Sequence, residues 1–123
     1  MPDTSNDLDL SFLNEIADGS DEFIVESIDM FLEQAPEILG AVSAAIAVQD
    51  WPVAASAAHK IKATLGFFGM NNCLALMQGV EHLCKTGSPD PDDVATKFNE
   101  VQGMINANLV LLEQIKTEKQ ANL

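Results

Sequence analysis

The 123-residue sequence predicts an all-α fold, an antiparallel up-down-up-down four-helix bundle with a short additional N-terminal helix. Three observations point there. Apolar residues recur at spacings of three and four over long stretches, the signature of helices with one buried face. Gly, Pro, Asn, Asp and Ser divide these stretches into four substantial segments and one short one, joined by connections too short for anything but neighbouring helices. Strand-type alternation is hard to find.

The first helix is expected over Leu8 to Asp18, with Leu10, Leu13 and Ile16 as its apolar stripe and Gly19 as its stop. Ser20 is a good N-cap for the second, with Asp21 and Glu22 in the first turn, where the helix dipole favours acids. Its stripe is Phe23, Ile24, Ile28, Phe31 and Leu32, then Ile38, Leu39, Val42 and Ile46. Pro36 falls inside that pattern, so a single helix kinked near Glu33 to Pro36 is expected. Asp50 caps the third helix, with Pro52 in its first turn and its end near Phe68 and Gly69. Asn71 or Asn72 caps a fourth that runs to about Lys85, with Leu74, Met77, Val80, Glu81 and Cys84 facing inward. After the turn cluster Thr86 to Asp90, Pro91 opens a fifth helix whose series is Val94, Phe98, Val101, Ile105, Leu109, Leu112 and Ile115. The Ala-rich runs, Ala41 to Ala47 and Ala54 to Ala58, should let the second and third helices approach closely.

Residues 1–123 read as one domain, with residues 1–7 and 117–123 expected to fray. Nineteen acids against six lysines and no arginine give a formal charge of −13, a surface that repels nucleic acid and anionic lipid. No apolar run reaches the length of a membrane span, and Met1 to Asp9 are polar and acidic, unlike a secretory signal. A cytoplasmic protein is the expectation. Cys73 and Cys84 lie eleven positions apart, about three helical turns, and are expected as reduced packing residues on one side of a helix.

His59 is where chemistry concentrates. At about 100° per residue, its helical face is shared by Ala55, Ser56, Lys62, Ala63 and Gly66, while Ile61, Phe68, Ala54 and Ala57 fall opposite. An exposed imidazole on a low rim follows. It could ligate a metal, act as a base, accept a phosphoryl group or be an ordinary surface residue. No nucleophile elbow, Walker loop or metal-ligand spacing such as Cys-x-x-Cys or His-x-x-x-His is present. Two of the six lysines, Lys60 and Lys62, stand within three residues of His59, and an ammonium can follow phosphate oxygens. A solvated face with incidental cations accounts for that local pattern about as well.

The run His59, Ile61, Lys62, Ala63 and Gly69 resembles the signature of histidine-containing phosphotransfer (HPt) domains of two-component phosphorelays. There the histidine is followed by an aliphatic residue at +2, Lys at +3, a small residue, usually Gly, at +4, and Gly at +10. Gly66 matches a commonly small position. Phe31 to Glu37 upstream and the helix ending near Glu81 downstream extend the resemblance to nearly the whole chain. Ala63 in place of Gly and Leu65 in place of Ser or Ala are the departures.

The resemblance implies a reversible phosphoryl carrier rather than a self-sufficient enzyme. His59 would accept phosphate from a receiver-domain aspartyl-phosphate, or from a histidine kinase, and pass it to another receiver. Lys62 would stabilise the phosphate, and Glu81, at +22, would orient the imidazole through Nδ1, leaving Nε2 as nucleophile. Lys60, Ala55, Ser56, Ala63 and Gly66 would support the site and keep it accessible. No cofactor and no metal site of its own is implied; the Mg²⁺ would sit on the partner receiver. The partners implied are response-regulator receiver domains and a hybrid histidine kinase, served by a monomer acting in trans. Phe67, about 80° round the helix from His59, is the docking candidate, extended by Leu8, Leu10 and Phe12. His82 is expected as an incidental flank residue. The alternative is a non-catalytic acidic helical adaptor that binds a protein partner without phosphotransfer.

Overall fold

The computed structural model describes residues 8–86 and 89–123. Five helices and no strand occur among them: α1 (Ser11–Ala17), α2 (Asp21–Ala47), α3 (Trp51–Phe67), α4 (Asn71–Cys84) and α5 (Pro91–Ala121). The four long helices form a closed ring in which α3 lies against α2 and α4, and α5 against α4 and α2; α1 packs on α2. The expected fraying of residues 1–7 and part of the turn cluster, residues 87 and 88, lie outside the described residues.

Capping follows the side-chain chemistry. The Phe23 amide donates to Ser20 Oγ (3.2 Å), that of Val53 to Asp50 Oδ1 (3.4 Å) and that of Asp92 to Asp90 Oδ1 (3.0 Å), each satisfying an otherwise orphaned first-turn donor. α4 differs from expectation. Its N-cap is Met70, with no side-chain cap, and neither Asn71 nor Asn72 plays that part. Met70 is fully buried, so the chain enters α4 through a core contact rather than a polar one. α2 continues through Pro36 without a break; Pro36 is exposed, where water can meet the carbonyl it leaves unpaired.

The core is made by Leu13, Ile28, Leu39, Ile61, Leu65, Phe68, Met77, Phe98, Ile105 and Leu112, all nearly inaccessible. Ala45 on α2 and Ala54, Ala57 and Ala58 on α3 are buried, as close helix approach requires. In α5 the buried series is Val94, Phe98, Val101, Ile105, Asn108 and Leu112, a regular alternation of four and three. Asn108 therefore takes the inward position that the sequence assigned to Leu109, and its amide approaches Cys73 Sγ at 3.9 Å. Phe23 and Ile16 are exposed rather than inward. α1 is shorter than expected, and α5 is longer: it reaches Ala121 because Lys116 and Lys119 pair with Asp29 (3.2 Å) and Asp21 (3.3 Å) of α2.

One glycine is fixed by the fold. Gly69 has φ +69°, and a Cβ there would overlap the backbone of Asp9, whose amide donates to the Phe68 carbonyl at 3.1 Å. The N-terminal segment thus crosses directly over the end of α3. Both cysteines are buried thiols on α4, and burial pushes the Cys84 thiol up.

Candidate functional site

The site lies at the seam of α3 and α4. Ala55, Ala58, Ile61 and Leu65 form the buried stripe of α3, and Cys73, Met77, Val80 and Cys84 that of α4. His59 stands on the flank of the first stripe with its side chain 67% exposed, whereas Glu81 lies within the second with its side chain 6% exposed. A buried carboxylate must be paired. Glu81 is paired three ways: Oε2 meets His59 Nδ1 (3.0 Å) and Lys85 Nζ (2.8 Å), and Oε1 meets Lys62 Nζ.

Burial alone would raise the Glu81 carboxyl, but hydrogen bonds and charge attraction from Lys62 and Lys85 outweigh it and hold it at about 2. The group is therefore ionised at neutral pH and can only accept. The proton in the 3.0 Å contact must then sit on His59 Nδ1, and in the neutral ring Nε2 carries a bare lone pair. An exposed imidazole with an assigned tautomer is a ready nucleophile.

Two shallow clefts flank the ring. One is lined by Pro52, Ala55, Ser56 and Lys60 together with Glu81 and Lys85; the other has Lys62, Gln78 and His82 opposite the same pair. Of the small residues expected on the rim, Ser56 and Ala63 are exposed and Gly66 is half-buried, but Ala55 is buried, because α4 closes over that side of α3. Lys60 is exposed beside the ring. Lys62 is only 20% exposed and pairs with Glu81. Lys85 went unremarked in the sequence, although an acid and a lysine four apart on a helix are a standard pairing signal. His82, expected to be incidental, lines the second cleft.

Phe67 is half-buried one helical stretch away, edge-on to Phe12 (centroids 5.8 Å) and to Phe68 (5.3 Å). With Met30, Phe31, Gln34, Ala63 and Thr64 it lines an apolar groove between α2 and α3 that begins one turn from His59. Phe12 and Met30 leave large apolar surface exposed beside it. None of the helices among the described residues is long and apolar enough to cross a membrane.

A family model described as Hpt domain matches residues 26–117. No curated protein and no solved structure matches the chain.

Proposed function

Because the chain belongs to the Hpt domain family, whose role is histidine phosphotransfer in two-component phosphorelays, we propose that His59 is its phosphoryl acceptor and that it exchanges phosphate reversibly with receiver domains or a histidine kinase. The observation that carries this reading is the 3.0 Å contact from the exposed His59 ring to buried, ionised Glu81. It leaves the Nε2 lone pair facing outward.

In the forward step Nε2 bonds to phosphorus while the P–O bond to the donor aspartate breaks, and the electron pair leaves with the aspartate carboxylate. The Nδ1 proton stays in its hydrogen bond to Glu81, whose negative charge offsets the positive charge that the ring acquires. Lys62 keeps Glu81 ionised and lends positive potential nearby. The Mg²⁺ that neutralises the transferring group belongs to the receiver, so the bundle supplies position and a nucleophile. The groove at Phe67, with Phe12 beside it, fits the partly apolar contact that a transient receiver complex needs. We read the helices as an antiparallel up-down-up-down bundle acting as a monomeric shuttle.

Incubation with a phosphorylated receiver tests this. The expected result is acid-labile, base-stable phosphate on the protein, abolished by His59→Gln. Labelling that persists in that variant overturns the assignment, and receiver binding without any labelling would instead mark an adaptor.

A further inference from the structure

Glu81 carries one negative charge and meets two ammonium groups, so this corner of a protein with formal charge −13 holds a surplus cation. The two lysines are not equivalent. Lys62 is 20% exposed and reaches the carboxylate from α3; among the described residues it is the one ammonium on Oε1, and moving it would leave that buried oxygen without an ion-pair partner. Lys85 sits at the C-cap of α4, is 62% exposed, and shares Oε2 with the His59 N–H. If Lys85 leaves, Glu81 still has Lys62 on one oxygen and His59 on the other. The Lys85 end of the pair is largely in water, so releasing it costs less than withdrawing the mostly buried Lys62. Lys85 also borders both clefts that flank the ring, whereas Lys62 borders one.

From this we infer that Lys85 is a phosphate-contacting catalytic residue, a mobile cation that exchanges its bond to Glu81 Oε2 for one to a phosphoryl oxygen once the group is on His59 Nε2. The inference rests on His59 being the acceptor. The charge balance favours the exchange: a dianionic phosphoryl group arrives next to a carboxylate, and the more exposed of the two ammonium groups on Glu81 passes from the weaker to the stronger anion. Lys62 stays behind to keep Glu81 ionised, and the His59 Nδ1–H···Glu81 bond then has Oε2 to itself.

The test uses the full chain phosphorylated chemically with phosphoramidate, so that no partner is needed, and follows the ³¹P resonance of the phosphohistidine against pH. A cation about 4 Å from the phosphoryl group lowers its second ionisation by roughly half to one pH unit. Lys85→Gln is expected to raise the ³¹P midpoint by that amount and Lys85→Arg to restore it. The equilibrium share of phosphate against a receiver should follow the midpoint, about three- to tenfold lower in Lys85→Gln and restored in Lys85→Arg. An unchanged midpoint in Lys85→Gln, with His59 still phosphorylated, overturns the role of Lys85 while leaving the acceptor intact. Absence of any phosphohistidine signal in the unaltered protein overturns the acceptor reading itself.

Discussion

Replacing Glu81 with Gln preserves an oxygen that can accept from His59 Nδ1–H while it removes the charge and puts an NH2 in place of the other oxygen, which makes it the most informative change in the site. In the native protein that charge is buried, with Lys62 and Lys85 against it, and the carboxyl is held at about 2 against an ordinary 4.5. A gap of that size corresponds to about 3 kcal/mol at most. Because Lys85 is largely exposed and screened, about 1–2 kcal/mol is the realistic share. The sign is that of a carboxylate whose folded value is depressed: its contribution is fully present above about 4.5 and is lost as pH falls through about 2. Glu81→Gln should therefore be less stable than the unaltered protein by about 1–2 kcal/mol at pH 7, several degrees in melting temperature. The two curves should converge between about pH 4.5 and pH 2. Urea unfolding followed by circular dichroism across that range measures the difference directly. A gap that stays constant down to pH 2, or no gap at pH 7, would refute the claim that Glu81 is an ionised, ion-paired buried acid.

Three further outcomes follow from the packing. Gly69→Ala combines a left-handed backbone with overlap against Asp9, and should cost about 2 kcal/mol or more and release the Asp9 amide, which hydrogen exchange reports; unchanged protection at Asp9 would contradict it. Phe67→Ala and Phe12→Ala remove the edge-on pair beside the α2–α3 groove and should weaken receiver binding about 5- to 30-fold each by calorimetric titration, the reach of a 1–2 kcal/mol loss; unaltered affinity would place docking elsewhere. Cys73 and Cys84 are buried, and Cys84 is pushed up by that burial, so neither should react with a thiol reagent at pH 8 until urea unfolds the chain; immediate labelling in the native protein would show the α4 seam to be open.

Much of the scaffold was legible because caps and apolar spacing are local. Ser20, Asp50 and Pro91 mark helix starts by chemistry that acts within one turn, and the structure keeps all three. The misreadings are long-range. The end of α5 looked polar and frayed, yet it is held by pairs such as Lys116 with Asp29, 87 positions away. A polar side chain rarely occupies an inward position, so the sequence points to Leu109, although the alternation of four and three places Asn108 there. Met70 serves α4 by being buried, which no capping signal announces.

The site divides in the same way. His59, Lys62 and Glu81 were all singled out, but their joint arrangement, in which one carboxylate gathers a ring and two lysines, depends on how closely α3 and α4 approach. The small residues of α3, expected together as access for a partner, have different surroundings. Ala63 is exposed and keeps the rim low, whereas a Cβ on Gly66 would meet Leu74 of α4 at 3.3 Å. A side chain at Gly66 would thus press on Leu74 at the same α3–α4 seam that His59 and Glu81 span. The tautomer of the exposed ring is set by the ionised Glu81 of α4, so a change on α4 that moves this carboxylate can alter nucleophilicity without touching the imidazole.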